Sequence, residues 1–161
     1  MSNDKVEIKW NQEILQALMT LTKDNLSVKV GVLADDQLHP GDSIGAAGLA
    51  AVHEFGSQSR KIPERSFLRK TLFMKKDEYN AWVERNKDGI MADITKGNFY
   101  FSVLPKIGSL WVSYVLECFK TGGFGSWAPN SAETVRRKGS DKPLIDTGAL
   151  RRSITFEVTD E

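Results

Sequence analysis

Residues 142–151 read Lys-Pro-Leu-Ile-Asp-Thr-Gly-Ala-Leu-Arg, and this stretch indicates how the chain ends. The proline fixes its own φ angle and disfavours helix at the residue before it. Asp146 stands where a helix N-cap is expected, and its carboxylate would accept the free N–H groups of Gly148 or Ala149. Apolar residues then alternate over residues 153–158, as in a strand with one buried face. The stretch therefore predicts a corner that holds a long loop against a terminal strand.

Two apolar residues followed by Asp-Thr-Gly-Ala also surround the catalytic aspartate of retroviral-type aspartic proteases. That chemistry needs two such carboxylates sharing one proton, supplied by two halves or two subunits. Only residues 149–161 follow Gly148, too few for the β-barrel lobe of such a half, and no second Asp-Thr-Gly or Asp-Ser-Gly occurs. We favour the structural corner, and keep an aspartic-type hydrolase using Asp146 as an alternative.

The composition is that of an ordinary globular protein. The chain has 161 residues, of which 40% are hydrophobic and 27% charged, with a formal net charge of +1. This length suits one domain with its own core, and the balanced charge gives no global attraction to DNA or an acidic membrane. Cys118 is the only cysteine, which excludes an intrachain disulfide. The polar N-terminus and the lack of an apolar run near 20 residues predict no signal peptide and no membrane span.

The first third of the chain predicts an N-terminal helix, a strand and a second helix. We interpret residues 1–26 as an N-terminal helical segment, with apolar residues spaced by three and four within 8–21, and residues 27–161 as the core of a single domain. Valines alternate over residues 28–33, as in a strand, and residues 34–43 are polar and contain Pro-Gly, as in a loop. Residues 44–55 predict a helix ended by Gly56, with this apolar face: Ile44, Ala47, Ala51 and Phe55.

His53 and Glu54 are the titratable pair on that helix. A functional interpretation of the pair is a metal ligand or a general base, but adjacent helical residues point about 100° apart. No His-x-x-x-His pattern accompanies them, and a metal site needs several convergent ligands. A structural or subunit-contact role is therefore the favoured interpretation.

The middle of the chain predicts two more helices. A basic loop over residues 57–66 leads into a long amphipathic helix from Phe67, which we expect Gly89 to break, with a further break at residues 96–98. An apolar stripe over residues 103–118 predicts a core helix in which Cys118 is a packing residue. The fold class expected is α+β, a small mainly antiparallel sheet packed by three or four helices, with long loops.

Residues 121–141 predict a long irregular loop, rich in glycine at its start. Such loops usually bind something or are ordered by a partner. Arg136, Arg137 and Lys138 make it basic, so it is expected to touch either phosphate or an acidic patch on a neighbouring protein. A small nucleic-acid-binding module is one alternative. The Gly-Lys-Ser/Thr ending of a nucleotide-binding loop is lacking.

Several segments occur together in an order that we associate with one family. In chain order they are Val-Lys-Val-Gly-Val (28–32), Ala-Ala-Val-His-Glu-Phe-Gly (50–56), Ile-Pro-Glu-Arg-Ser-Phe-Leu-Arg (62–69), Trp-Ala-Pro (127–129), Thr-Val-Arg-Arg-Lys-Gly (134–139) and the stretch 143–154. With them the chain resembles the tail-completion, or virion-morphogenesis, proteins of tailed bacteriophages, the Mu-like neck family and its long-tailed relatives. The resemblance covers most of residues 28–158. Ser66 and Asn130 depart from it, standing where a proline and an apolar residue are expected.

The resemblance implies a structural protein of the virion and not an enzyme. It implies a tail completion or neck subunit that forms a ring, expected to be a homo-hexamer, which closes the tail tube and enables head–tail joining. The alternative is a tail terminator or head–tail connector ring subunit. Expected partners are the tail tube or terminator and head connector proteins, with DNA passing through the lumen without specific binding. No catalytic residue, metal or cofactor is expected, and the protein would be made in the host cytoplasm and reside in the virion.

In a closed ring each subunit presents two different faces to its neighbours. We expect residues 62–69 and 124–142 to carry much of this contact, and a Trp127→Ala variant to impair assembly more than folding. The residues expected to contact subunits or partners are Glu54, Phe55, Ile62, Pro63, Arg65, Phe67, Arg69, Trp127, Arg136, Arg137, Lys138, Leu144, Asp146 and Arg151.

Overall fold

The computed structural model describes residues 26–33 and 44–160. In chain order, the elements of these residues are β1 (Ser27–Val32), α1 (Ala46–Phe55), α2 (Arg69–Thr95), a π-helical turn (Phe99–Val103), α3 (Leu104–Lys120), α4 (Ala132–Lys138), α5 (Ala149–Arg152) and β2 (Ile154–Thr159). The predicted α+β class is confirmed. Five α-helices are present in the described residues where three or four were expected, because two short ones lie in predicted loops. The predicted helix at 8–21 and loop at 34–43 lie outside the described residues.

The sheet joins the two ends of the described chain. β1 and β2 pair antiparallel, from Ser27 opposite Thr159 to Val32 opposite Ile154. The Ser27 and Thr159 hydroxyls are 2.7 Å apart and close the far end of this ladder. Both strands were predicted within one residue of their observed bounds, because alternating apolar residues mark a half-buried strand.

Helix α3 packs across this sheet and forms the centre of the core. A Cβ atom at Gly108 would overlap the ring of Phe156, so the glycine permits the close approach of helix and strand. Phe67 and Phe119 have ring centroids 5.1 Å apart at the middle of the core. Cys118 is 0% exposed, as expected for a packing residue. The core cluster consists of Ala50, Phe67, Val115, Cys118, Phe119, Leu150 and Ile154.

The buried face of α1 is shifted by one position along the chain from the predicted face. The structure buries Ala46, Ala50 and Glu54, whereas Phe55 is 64% exposed. The small side chains of Ala46 and Ala50 let the helix approach the core closely. The carboxylate of Glu54 is buried because it lies between this helix and the next element. Hydrophobic spacing predicted the wrong face because an inward-facing glutamate looks like an exposed residue in sequence.

Helix α2 runs unbroken for 27 residues and passes through Gly89, so the predicted break there is wrong. An exposed glycine inside a helix costs about 1 kcal/mol relative to alanine, which a long packed helix tolerates. The helix begins at Arg69, two residues later than predicted. The expected break at residues 96–98 is present, since Lys96 ends the helix and Gly97 has φ 72°.

The loop predicted over residues 121–141 contains helix α4. Ser131 caps this helix by accepting the N–H of Thr134 at 3.2 Å, and Gly139 ends it with φ 66°. Both residues are ordinary capping signals. The prediction of an irregular loop was wrong for these residues, because the glycine-rich composition that indicates a loop is confined to the start of the stretch.

The corner at residues 142–151 exists, but Asp146 does not cap it. Gly148, with φ 77°, precedes α5, and no side chain caps the helix from that position. The Thr147 hydroxyl instead accepts the N–H of Ala149 at 3.3 Å. The shorter side chain, one residue closer to the turn, reaches the N–H group, and the Asp146 side chain is exposed.

One helical stretch in the described residues, Phe99–Lys120, is long and apolar enough to cross a membrane by length and composition alone. The sequence prediction of no membrane span stays a prediction, because this length and composition are also those of a core helix. This stretch carries Lys106, Glu117 and Lys120, and one of its faces packs on the sheet. The core helix of a globular domain has the same character.

Candidate functional site

Glu54 joins helix α1 to the start of helix α2. Its Oε2 accepts the N–H groups of Phe67 at 2.7 Å and Leu68 at 2.9 Å. Its Oε1 accepts the N–H of Arg69 at 3.0 Å and the hydroxyl of Ser66 at 2.6 Å. Leu68 at the N-cap position offers no side-chain cap. A carboxylate from another helix therefore satisfies the free N–H groups of α2 and faces the positive end of its dipole.

The ionisation of Glu54 follows from the same contacts. Burial raises the pKa of this carboxyl, but hydrogen bonds from Leu68, Ser66, Arg69 and Phe67 outweigh it and leave the pKa below the ordinary value of 4.5. The Nε atom of Arg69 adds an ion pair at 3.1 Å. Both oxygens are engaged with donors of the chain itself. Glu54 thus serves the fold, in agreement with the structural interpretation.

Arg65 and Trp127 join two further segments at the same place. Arg65 donates from Nε to the carbonyl of Ala128 and from Nη2 to that of Pro129, each at 3.0 Å. Trp127 donates from Nε1 to the carbonyl of Ser66 at 3.1 Å, and its ring lies 5.7 Å from that of Phe119. The three sequence segments 50–56, 62–69 and 127–129 therefore form one junction.

The predicted contact residues fall into three groups by exposure. Exposed ones are Phe55, Pro63, Arg69, Arg136, Arg137, Asp146 and Arg151; partly buried ones are Ile62, Trp127, Lys138 and Leu144; buried ones are Glu54, Arg65 and Phe67. For the buried group the structure shows contacts inside the chain in place of the expected contacts with a partner, since these side chains build the junction and the core. Because Trp127 also packs on the core, its replacement is expected to weaken the fold itself. For the exposed group, partner contact stays a prediction.

An exposed apolar surface was not predicted from the sequence. Phe73 is 79% exposed, Leu72 59% and Met74 46%. The guanidinium of Arg69 lies 4.6 Å from the ring centre of Phe55, which extends this surface onto α1. The available signal was the run Leu72-Phe73-Met74, because three successive residues span about 200° around a helix and cannot all face one core. We call Phe55, Leu72, Phe73 and Met74 the apolar surface.

The apolar surface continues into a groove of about 390 Å³ beside the sheet, with Leu72 at their junction. Val28 and Val30 of β1 form one wall of the groove, and Ile107 and Trp111 of α3 form another. Apolar patches of this kind in a globular protein usually mark a protein contact.

A second cavity, of about 420 Å³, collects charged residues from four segments. His53 comes from α1 and Arg65 from the loop before α2, while Arg137 and Lys138 come from α4 and Asp146 from the corner. We call it the cationic cavity. It brings together His53 and five of the predicted contact residues, which come from separate segments of the sequence: Arg65, Arg137, Lys138, Leu144 and Asp146.

His53 is the group most affected by this cavity. Its Nδ1 atom is buried and has no hydrogen-bond partner among the described residues. Burial and the nearby charges of Arg65 and Lys138 lower the pKa of His53 to about 4. The imidazole is therefore neutral at pH 7, and Nδ1 or its proton is left for a bound group.

The chemistry of other sites can be assessed from the same residues. No group of three or more His, Cys, Asp or Glu side chains in the described part of the chain is arranged to hold a metal ion. In that part, Asp146 is also the only carboxylate that lines the cationic cavity. A proton-sharing pair of carboxylates would require a second one beside it.

Comparisons of the chain with protein-family models, with curated proteins and with solved structures found no match.

Proposed function

We propose that this protein is a structural subunit of a tailed-bacteriophage virion, a tail completion or neck protein that assembles into a ring and enables head–tail joining. A tail terminator or connector ring subunit is the alternative within the same class. The proposal rests on the ordered segments of the sequence. Three of those segments, 50–56, 62–69 and 127–129, meet in the junction of Glu54, Arg65 and Trp127. Their occurrence together in this sequence therefore has a structural reason.

The observation that carries a self-assembling role is the apolar surface. Exposing Phe73, Leu72 and Phe55 to water is unfavourable, and burying an apolar side chain of this size contributes about 1.5–3 kcal/mol. Burial of several such residues against a neighbouring copy is favourable enough to drive association. A second copy is the partner of choice because a ring repeats one contact at every subunit.

The arrangement of the molecule fits a heterologous contact, in which two different faces meet. The apolar surface lies on α1 and the first two turns of α2, whereas the exposed arginines Arg136, Arg137 and Arg151 lie on α4 and α5. Two distinct faces allow a ring to close, whereas a single self-complementary face would stop at a dimer.

The test is the mass of the purified full chain in solution, measured by light scattering after size-exclusion chromatography, with imaging of the same fractions. We expect rings, with six subunits as the predicted number. A Phe73→Ser variant should shift the protein to monomers without loss of helix content. Asp88→Ser changes an exposed residue further along α2 and should leave the rings intact.

Two results would contradict the proposal. The first is a wild-type protein that stays monomeric at high concentration and forms no ring. The second is a protein absent from purified phage particles while present in the infected cell.

A further inference from the structure

The cationic cavity holds more positive charge than the described residues compensate. Among these residues, Arg65, Arg137 and Lys138 face it with one carboxylate, that of Asp146, which leaves two positive charges. The side chains of Arg137 and Asp146 make no hydrogen bond or ion pair within the described residues. Desolvation by burial lowers the pKa of Lys138, opposed by Asp146. Positive charges held together in a recess favour the binding of an anion.

The donors in the cavity are placed by the fold and not by chance on the surface. Arg65 is 7% exposed, and the carbonyls of Ala128 and Pro129 fix its guanidinium from one side. Lys138 is fixed in turn, since its Nζ donates to the carbonyl of Lys142 at 3.2 Å. Each retains further N–H groups after these bonds. The buried His53 Nδ1, which has no partner in the part of the chain that the structure describes, is the remaining polar atom that a ligand would satisfy.

We propose that the cationic cavity binds a phosphate monoester or inorganic phosphate, a dianion held by Arg65, Arg137 and Lys138 with His53 beneath it. The charge argues for this class of ligand. A phosphate monoester carries about −1.5 to −2 at pH 7, and inorganic phosphate also has a dianionic form at this pH, which matches the two positive charges that the described residues leave uncompensated. An internal phosphodiester and a carboxylate each carry only one negative charge. Arginine also binds phosphate through paired N–H groups, and α4 and the loop before α2 present an arginine from each side.

This proposal does not depend on the ring, because every residue in the cavity belongs to one chain. The phosphate can be free in solution, or it can be the terminal phosphate at the 5′ end of a nucleic-acid strand. Both sources present the same phosphate oxygens to the cavity. They differ in whether the fourth oxygen of the phosphate is free or bonded to a nucleic-acid strand.

The first experiment is isothermal titration of the full chain with inorganic phosphate at constant ionic strength, set with sodium chloride. We expect saturable binding, and an Arg137→Gln variant should weaken it about tenfold to a hundredfold, because a charge-assisted hydrogen bond is lost. Arg136→Gln is the matched control, since Arg136 is the neighbouring exposed arginine on α4 and does not line the cavity. It should change the affinity by less than about twofold.

The second experiment separates the sources. A short oligothymidylate with a 5′-phosphate is compared with the same strand without it. Tighter binding of the phosphorylated strand than of inorganic phosphate assigns the cavity to a strand end, and equal binding assigns it to free phosphate. Absence of saturable phosphate binding by the wild type, or equal losses in the Arg136 and Arg137 variants, overturns the proposal.

A third measurement places the anion. The pKa of His53 is held at about 4 partly by Arg65 and Lys138. A dianion beside these groups favours the imidazolium, so the NMR-detected pKa of His53 should rise in phosphate relative to chloride. A His39→Asn variant, lacking the only other histidine, assigns the signal. Phosphate binding with no change in the His53 pKa would show that the anion lies elsewhere and would overturn the assignment.

Discussion

Replacing Glu54 by glutamine tests whether the junction between α1 and α2 stabilises the fold. The amide keeps the size of the side chain but removes its charge and converts one acceptor oxygen into a donor. Oε2 accepts two backbone N–H groups and Oε1 accepts three donors, so either orientation of the amide places an NH₂ group against N–H groups. At least two hydrogen bonds are lost, and Glu54 is only 4% exposed, so water cannot replace them.

The magnitude follows from the burial of the groups that are left unpaired. Removing one partner of a buried, hydrogen-bonded charge costs about 3–5 kcal/mol, and each stranded N–H contributes about 1–3 kcal/mol of that. A single domain has about 5–15 kcal/mol of stability in total. With a urea dependence of about 2 kcal/mol per molar, the midpoint of unfolding should fall by roughly 2 M.

The assay is urea unfolding of wild type and Glu54→Gln, followed by tryptophan fluorescence and circular dichroism. Glu64→Gln is the matched control, because Glu64 pairs with the same Arg69 at 3.0 Å but its side chain is 56% exposed. That variant should lose less than about 1 kcal/mol. Equal effects of the two substitutions, or a loss below about 1 kcal/mol for Glu54→Gln, would refute the reasoning.

Three further predictions concern packing and pH. Gly108→Ala should destabilise the protein by about 1–3 kcal/mol through overlap with the sheet, whereas Gly89→Ala, where a Cβ meets nothing within 4 Å, should stabilise it by about 0.5–1 kcal/mol in the same urea assay. Since the pKa of His53 falls from 6.5 to about 4 on folding, the unfolded chain binds more protons between these values and stability should decrease as pH falls through that window. A His53→Gln variant should flatten that part of the stability–pH curve, and an unchanged slope would contradict the assigned pKa. Trp127→Ala should cost about 3 kcal/mol of fold stability, and Trp127→Phe about 1 kcal/mol, through loss of the hydrogen bond to Ser66; a Trp127→Ala protein as stable as wild type would place the residue at a subunit contact alone.

The sequence predicted those parts of the fold that depend on regular spacing. The valines at 28, 30 and 32 and the alternation after Ser153 indicate both strands, since a strand exposes every second residue. The apolar stripe of α3 and the break at Gly97 follow from equally local rules. The pairing of β1 with β2, over 132 positions, does not follow from local pattern.

Errors arose where a polar group acts at a distance along the chain. Glu54 looks like a surface residue until the N–H groups of Phe67 and Leu68 are seen to lie beside it. At the corner, Asp146 and Thr147 are both plausible caps, and only the backbone turn at Gly148 decides which side chain reaches the N–H. The cationic cavity needs the folded chain for the same reason, because His53 and the charged residues that line it come from four separate segments.

The pairing of the first described strand with the last has a consequence for biosynthesis. While the ribosome is still translating, β1 has left the exit tunnel and has no strand to pair with, because Ile154–Thr159 are synthesised after all the other described elements. The core helix is then without half of the sheet that covers it, and the nascent polypeptide must either wait in a partly collapsed form or be held by a chaperone. Any truncation that removes Ile154–Thr159 would therefore leave β1 unpaired and the core helix partly uncovered, so its effect would extend to the fold as a whole.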